Sequence, residues 1–308
     1  MQRVTPGISG STRVVGVIGW PVRHSLSPAI HNAAFRALEL DWAYVPLPVP
    51  RGRVAEALAG LSALGVAGVN VTMPHKTDVA RAVDERSADA ALLDAVNTIV
   101  VHEETLTGHN TDAPGFERFL VQDLGTDPRG RRALVYGAGG AARACVLALG
   151  RLGAASVTVV VRDAVRAAAV RIVAEATEVE TFSVAAFDDV ATLEADLLVN
   201  ATPLGSRGEA LPVPALGSET VGIDLLYRPA TTPFQDAVRA AGGLASGGLG
   251  LLLHQAARSF ELWTGQPAPL SVMSAAALAV LAEPSASSDT TSGASPADGG
   301  HRSTDSGV

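Results

Sequence analysis

The segment from Ala133 to Val161, "ALVYGAGGAARACVLALGRLGAASVTVVV", constrains the fold of this chain more than any other. Its pattern predicts an apolar strand over Ala133–Tyr136, a glycine turn, a helix to about Leu152 and a second strand over Val157–Val161. A helix from about Val165 to Ala176 follows, then strands at Leu197–Asn200 and Val221–Asp224. Strands that alternate with helices in this way predict a βαβ series of the doubly wound type.

The turn itself, Gly137-Ala138-Gly139-Gly140-Ala141, has a chemical reading. Glycines there permit a tight turn and let a pyrophosphate approach backbone N–H groups, to which the helix N-terminus adds partial positive charge. A tight turn without a ligand is the bland alternative. The strand before it, the helix after it and the second strand at the expected distance favour a dinucleotide. After that second strand come Arg162, Asp163 and Arg166. Two guanidinium groups suit the 2′-phosphate of NADP, and a carboxylate suits the ribose hydroxyl of NAD. The pair of arginines favours NADP, while Asp163 keeps NAD open.

A first α/β series precedes this one. Val14–Gly19, Tyr44–Val49 and Val66–Thr72 read as strands, and Pro28–Leu40 and Arg53–Leu64 as helices with one apolar face. At 308 residues, 47% of them hydrophobic, the chain is long enough for two domains with sizeable cores. A formal net charge of −8 without a basic stripe argues against nucleic acid. The single cysteine, Cys145, excludes a disulfide framework and a CxxC metal site, and suits the cytoplasm. No apolar run has signal-peptide character or approaches the ~20 residues that span a bilayer. From Ser285 the composition turns to Ser, Thr, Gly, Asp and Pro, which predicts a disordered tail.

Several polar residues stand out within the first series. In "VNVTMPHK" a strand breaks at a proline and presents Lys76. In "HSLSPAIHN", Ser25 and Ser27 lie two apart in what reads as an extended segment, which would aim two hydroxyls at one carboxylate. Capping is the alternative for Ser27, because Pro28 follows. His24 and His31 have no third partner for a metal and read as structural or surface residues. Asn97 sits in an apolar run, where a buried amide needs partners, and Asp112 precedes a helix that it could simply cap.

Taken together, these motifs resemble the shikimate dehydrogenase family. "GWPVRHSLSPAIHN" is similar to that family's carboxylate-binding motif and places Ser25 and Ser27 on its two serines. "NVTMPHK" resembles the catalytic motif and puts Lys76 on the catalytic lysine, with Thr72 beside it. "AVNT" and "NTD" give Asn97 and Asp112 roles at the substrate. "DLLYRPATTPF" places Tyr227 at the substrate and Leu225 near the nicotinamide. "SGGLGLLLHQA" places Gly248 beside the nicotinamide and Gln255 at the substrate. Two positions depart from the family's "NRT" cofactor motif: Val161 stands for its asparagine and Asp163 for its threonine.

The resemblance implies an α/β chain of two domains. Residues 1–112 with 248–283 would form the substrate domain, completed by C-terminal helices. Residues 113–247 would form a Rossmann-type domain for NADP, and 284–308 the tail. It further implies reversible, NADPH-dependent reduction of 3-dehydroshikimate to shikimate, with Lys76 as acid/base and Asp112 orienting it. The partners would be small molecules, without nucleic acid or membrane; monomer and homodimer both stay open. An NAD-dependent quinate/shikimate dehydrogenase is the nearest alternative. A dinucleotide-binding protein without turnover is the alternative from another class.

Overall fold

The structure, a computed structural model, describes residues 7–283. The tail expected from 284 lies outside the described residues. Two six-stranded sheets organise the chain.

The first sheet is mixed. β1 (Arg13–Gly19), β2 (Trp42–Pro48) and β3 (Gly68–Val71) run parallel, with α1 (Ser27–Ala37) and α2 (Val54–Ala63) as their crossovers. Beyond β3 come α3 (Lys76–Ala82), β4 (Glu85–Arg86) and α4 (Ala88–Leu92). β5 (Thr98–His102) and β6 (Thr105–His109) then form an antiparallel hairpin, and β5 pairs antiparallel with β3. The order across the sheet is β2-β1-β3-β5-β6-β4. β3 is buried along its whole length, as expected of an inner strand covered on both faces.

α5 (Asp112–Arg118), extended by a wider π-type turn at Phe119–Asp123, leads to the second sheet. There β7 (Arg132–Tyr136), β8 (Ser156–Val160), β9 (Thr181–Ala185), β10 (Leu197–Asn200), β11 (Val221–Asp224) and β12 (Leu244–Ser246) pair in parallel. Their order is β12-β11-β10-β7-β8-β9. The chain starts in the middle at β7, winds outward through β8 and β9, and returns to β10 on the other side. Such a reversal leaves a crevice at the carboxyl ends of the two central strands, where ligands bind in doubly wound sheets. α6 (Gly140–Arg151), α7 (Ala168–Glu175) and α8 (Pro233–Ala240) flank the strands.

The last two helices, α9 (Leu249–Thr264) and α10 (Leu270–Ala282), rejoin the first sheet. Phe260, Trp263, Met273 and Ala277 pack with Val15, Ile30, Ala34 and Phe35 in one apolar cluster. Each large side chain buried there contributes roughly 1.5–3 kcal/mol, which suffices to hold a segment remote in sequence. Trp263 Nε1 donates to Ile99 O at 2.9 Å, across Gly68. A Cβ on Gly68 would lie 2.3 Å from that nitrogen, so glycine is required at this crossing.

The C-terminal helices expected within 248–283 are α9 and α10, separated because Gly265 adopts φ +68° and Pro267 and Pro269 follow. Four expectations are corrected. Ser25 and Ser27 do not lie in an extended segment: Leu26 between them is α-like and is itself the N-cap of α1. The third strand is Gly68–Val71, short of both expected ends, and Val161 lies just outside β8. The helix expected from Val165 begins as a 3-10 turn at Ala164–Ala167 before α7 starts at Ala168.

Candidate active site

The break after β3 builds the first part of the site. His75, fully buried, places Nε2 2.7 Å from the carbonyl of Val49 and so pins the loop to the neighbouring crossover. Lys76 follows as the first residue of α3, and its Nζ donates to Asp112 Oδ2 at 2.6 Å. Both side chains are largely buried but open to one side, at 25% and 12% exposure, as a pair that meets a ligand must be.

Asp112 stands at the head of α5, whose N-cap is Thr111, so its carboxylate is not spent on capping. The second carboxylate oxygen accepts from Asn97 Nδ2 at 2.8 Å. The Asn97 amide is in turn oriented by the backbone N–H of Thr111, which donates to its Oδ1 at 2.8 Å. A backbone N–H on one end and a carboxylate on the other leave the amide one orientation. Gln255 of α9 brings its Oε1 3.4 Å from Asn97 Nδ2. Lys76, Asp112, Asn97 and Gln255 therefore converge from α3, α5, the start of β5 and α9.

The other expected substrate residues lie around the start of α1, after β3 and after β11. Ser25 Oγ accepts from the N–H of Ser27 at 3.2 Å, so Ser25, not Ser27, supports the start of α1. Ser27 is buried as the first residue of α1. Thr72 packs against the turn after β1, where a Cβ on Gly19 would meet its Cγ2 at 2.4 Å. Tyr227 lies after β11 and packs on the cluster formed by α1 and α9; burial raises its phenol pKa, partly offset by Arg228. His31 is fully buried, stacked on Tyr44 with ring centroids 4.5 Å apart, and burial lowers its pKa to about 3. It is a core residue with no metal partner among the described residues.

A cavity of about 450 Å³ opens at the crevice of the second sheet. Gly137, Ala138, Arg162, Asp163 and Arg166 line it, so the turn after β7 and the loop after β8 face one space. Gly137 has φ +104°, a conformation that favours glycine. Gly139 is different: a Cβ there would meet no protein atom within 4 Å, so no packing contact requires glycine at this position. Gly140 opens α6, and a Cβ on it would lie 4.0 Å from Lys76 Cδ. The glycine turn and the lysine thus adjoin.

Arg162 and Arg166 are exposed at the rim, and among the described residues neither forms an ion pair. Asp163 Oδ1 accepts from Val165 N–H at 3.0 Å and caps the turn that carries Arg166. A dinucleotide fits this donor set: backbone N–H groups at the glycine turn, space beside Gly139, and two guanidinium groups without a carboxylate partner. Leu225 and Gly248 meet at the far edge. The N–H of Gly248 donates to Leu226 O at 2.9 Å, and a Cβ on Gly248 would lie 2.0 Å from Leu225 O.

Comparison with known proteins identifies the arrangement. A model of the shikimate dehydrogenase substrate-binding domain matches residues 17–99, and one of the shikimate 5′-dehydrogenase C-terminal domain matches 248–278. The shikimate dehydrogenase (NADP(+)) of Citrifermentans bemidjiense is 44% identical over 285 residues, 90% of this chain and 98% of the relative. The chain belongs to the shikimate dehydrogenase family.

Solved structures within and around this family superpose closely. Shikimate 5-dehydrogenase from Thermus thermophilus, in complex with NADP(H) and shikimate, has a TM-score of 0.79 and 35% identity, covering 88% of this chain and 100% of that one. Quinate dehydrogenase from Corynebacterium glutamicum, in complex with NAD, has a TM-score of 0.80 and 30% identity, covering 87% and 99%.

Against the family's pattern, two groups of residues escape the sequence reading. Phe187, Thr202, Pro203 and Leu204 also line the cofactor cavity. "LLVNATP", an apolar strand broken by polar residues and proline, is the same signal that marks Lys76. Asn70, Thr98 and Ser259 form a buried polar layer beneath Asn97. Asn70, a polar residue within an apolar strand, was detectable by the criterion that picks out Asn97.

Proposed function

We propose that this protein catalyses the reversible, NADP-dependent interconversion of 3-dehydroshikimate and shikimate. The observation that carries the reading is the Lys76–Asp112 pair, 2.6 Å apart, beside the first residue of the helix that follows the glycine turn. The relative at 44% identity bears this activity in its name, and the Thermus thermophilus structure holds both ligands.

NADPH, when bound at the glycine turn, supplies the hydride that reduces the carbonyl. Gly137 to Ala141 hold its phosphates by backbone N–H groups, Arg162 and Arg166 its 2′-phosphate, and Leu225 and Gly248 shape the nicotinamide end. Lys76 donates the proton that the developing alkoxide needs, and in the reverse direction accepts it. Asp112 orients the ammonium group and accepts from a ring hydroxyl, while Asn97 fixes Asp112. Ser25 and Ser27 donate to the carboxylate, and Thr72, Tyr227 and Gln255 complete a hydrogen-bonding pocket. Such a pocket rejects analogues that lack a hydroxyl more strongly than analogues of different size.

The reading divides the chain into a substrate domain of residues 1–112 with 248–283 and a cofactor domain of 113–247. The mixed sheet with its returning helices, and the parallel sheet, support that division. We assign the protein to the cytoplasm, in keeping with one buried free thiol. Its ligands are small molecules; no helix among the described residues is long and apolar enough to cross a membrane.

Initial rates of shikimate and quinate oxidation, each with NADP and with NAD, test the reading. Turnover of shikimate with NADP far above the other three pairs is expected. Preference for quinate with NAD would replace this reading with that of the Corynebacterium relative. No turnover with any pair would leave a binding protein.

A further inference from the structure

Beneath the acid/base pair lies a layer of buried polar side chains that the reaction itself does not use. Asn70 of β3, Thr98 of β5 and Ser259 of α9 are at most 6% exposed. Asn70 Nδ2 lies 2.9 Å from Ser259 Oγ, and the hydroxyls of Thr98 and Ser259 are 2.7 Å apart.

The direction of these bonds follows from the groups that can only accept or only donate. Asn70 Nδ2 also faces the backbone carbonyl of Asn97 at 3.2 Å, and a carbonyl only accepts. The amide nitrogen of Asn70 is thereby fixed on the side of Ser259, and its Oδ1 accepts from Tyr44 at 2.8 Å. Ser259 Oγ also lies 3.0 Å from the carbonyl of Gln255, one turn earlier in the same helix, to which it donates. It accepts from Asn70, and its contact with Thr98 can be made with either hydroxyl as donor, since Thr98 also faces Asn97 Oδ1 at 3.2 Å. The hydroxyl thus bonds to two strands and to its own helix.

What it holds is informative. Gln255 sits one turn before Ser259 and reaches Asn97 and Thr111 with its Oε1 at 3.4 and 3.5 Å. On the other flank, a Cβ on Gly115 of α5 would lie 2.8 Å from the backbone N of Gln255, so α5 and α9 touch at backbone level. α5 begins at Asp112. The backbone contact at Gly115 sets how closely α9 approaches Asp112. The Ser259 hydroxyl sets its height against β3 and β5.

We propose that Ser259 is a positioning residue for the substrate pocket: its hydroxyl anchors α9 to β3 and β5 and so keeps Gln255 in register with Asn97 and Asp112. The inference rests on the reading of the site as a shikimate pocket. An alanine would leave Asn70 and Thr98 bonded to each other and to Asn97 but would remove the hydroxyl that ties them to α9.

The test is Ser259→Ala in the full chain, with steady-state kinetics for both substrates, calorimetric titration of shikimate and a thermal melt. Shikimate Kd and KM are expected to rise about tenfold, with KM for NADP+ changed less than about twofold. A lowered Tm with shikimate Kd and KM unchanged would make Ser259 a merely structural residue and overturn the inference. Equal losses for shikimate and NADP+ would overturn it too, since they would report a general loosening. Wild-type protein that neither binds nor oxidises shikimate would overturn the functional reading. Wild-type activity beside an unchanged alanine variant would overturn this inference alone.

Discussion

The two sheets make their halves of the site from different parts of the chain. The mixed sheet and its returning helices work with side chains: Lys76, Asp112, Asn97 and Gln255 come from four elements and are held by one another. The parallel sheet offers largely backbone: Gly137 lines its cavity, and Gly139 has open space beside it. Proton transfer needs a titratable atom at one place, whereas a pyrophosphate needs only N–H groups and room. The two halves should therefore fail in different ways, one by losing atoms and the other by gaining them.

The largest effect separates them most cleanly. Lys76→Ala removes the proposed proton donor and should lower kcat by ~100- to 10,000-fold while dinucleotide affinity, read by direct titration, stays near wild type. Loss of dinucleotide affinity alongside kcat would mean that the two halves are not separable. Next in size, the double variant Arg162→Ala/Arg166→Ala should raise KM for NADP+ by roughly a hundredfold and leave KM for NAD nearly unchanged, since charge-assisted bonds to a phosphate contribute roughly 1.5–3 kcal/mol each. Equal losses for both cofactors would remove the 2′-phosphate from the account.

Gly139→Ala probes added atoms. The methyl group meets no protein atom and the backbone φ of −74° is ordinary, so the melting temperature should hold. KM for NADP+ should nonetheless rise about tenfold, because the methyl group takes the space of the ligand. A variant with normal cofactor affinity would show that the nucleotide does not approach this turn.

The smallest effect concerns acid. His31 titrates near 6.5 in an unfolded chain but only at about 3 when folded, because burial disfavours its charged form. Below pH 6.5 the unfolded state binds a proton that the folded state does not. Stability should thus fall as pH drops from 6.5 towards 3, and this group adds no slope above that window. Urea midpoints between about pH 5 and 6.5 should fall in wild-type protein and fall less in His31→Phe, which keeps a stacked ring. Identical slopes would assign the acid sensitivity to other groups.

Much of the architecture was legible because it is carried by local patterns. Leu197–Asn200 and Val221–Asp224 are strands with the expected bounds, and α6 follows its glycine turn as the apolar spacing requires. What those patterns missed shares a cause. Leu26 takes an α-like conformation since Ser25 Oγ accepts the Ser27 N–H, a local bond that competes with extension. The break at Gly265 depends on a left-handed residue that apolar spacing does not register. Asp163, whose type keeps NAD open, also accepts from the Val165 N–H and caps the turn that carries Arg166, a role its type does not announce.

By itself the sequence determined the two α/β series, the glycine turn with the arginines after it, and the lysine placed after a broken strand. These are near-neighbour properties, set by hydrophobic period, backbone freedom and charge within a few residues. Tertiary structure alone decided that Lys76 meets Asp112 36 residues away, and that Ser259 meets Asn70 across 189. Such contacts depend on how α5 and α9 pack and on which donors remain unsatisfied after burial. Most buried polar atoms find a partner wherever the fold places one. That is a property of the closed molecule and not of any segment of it.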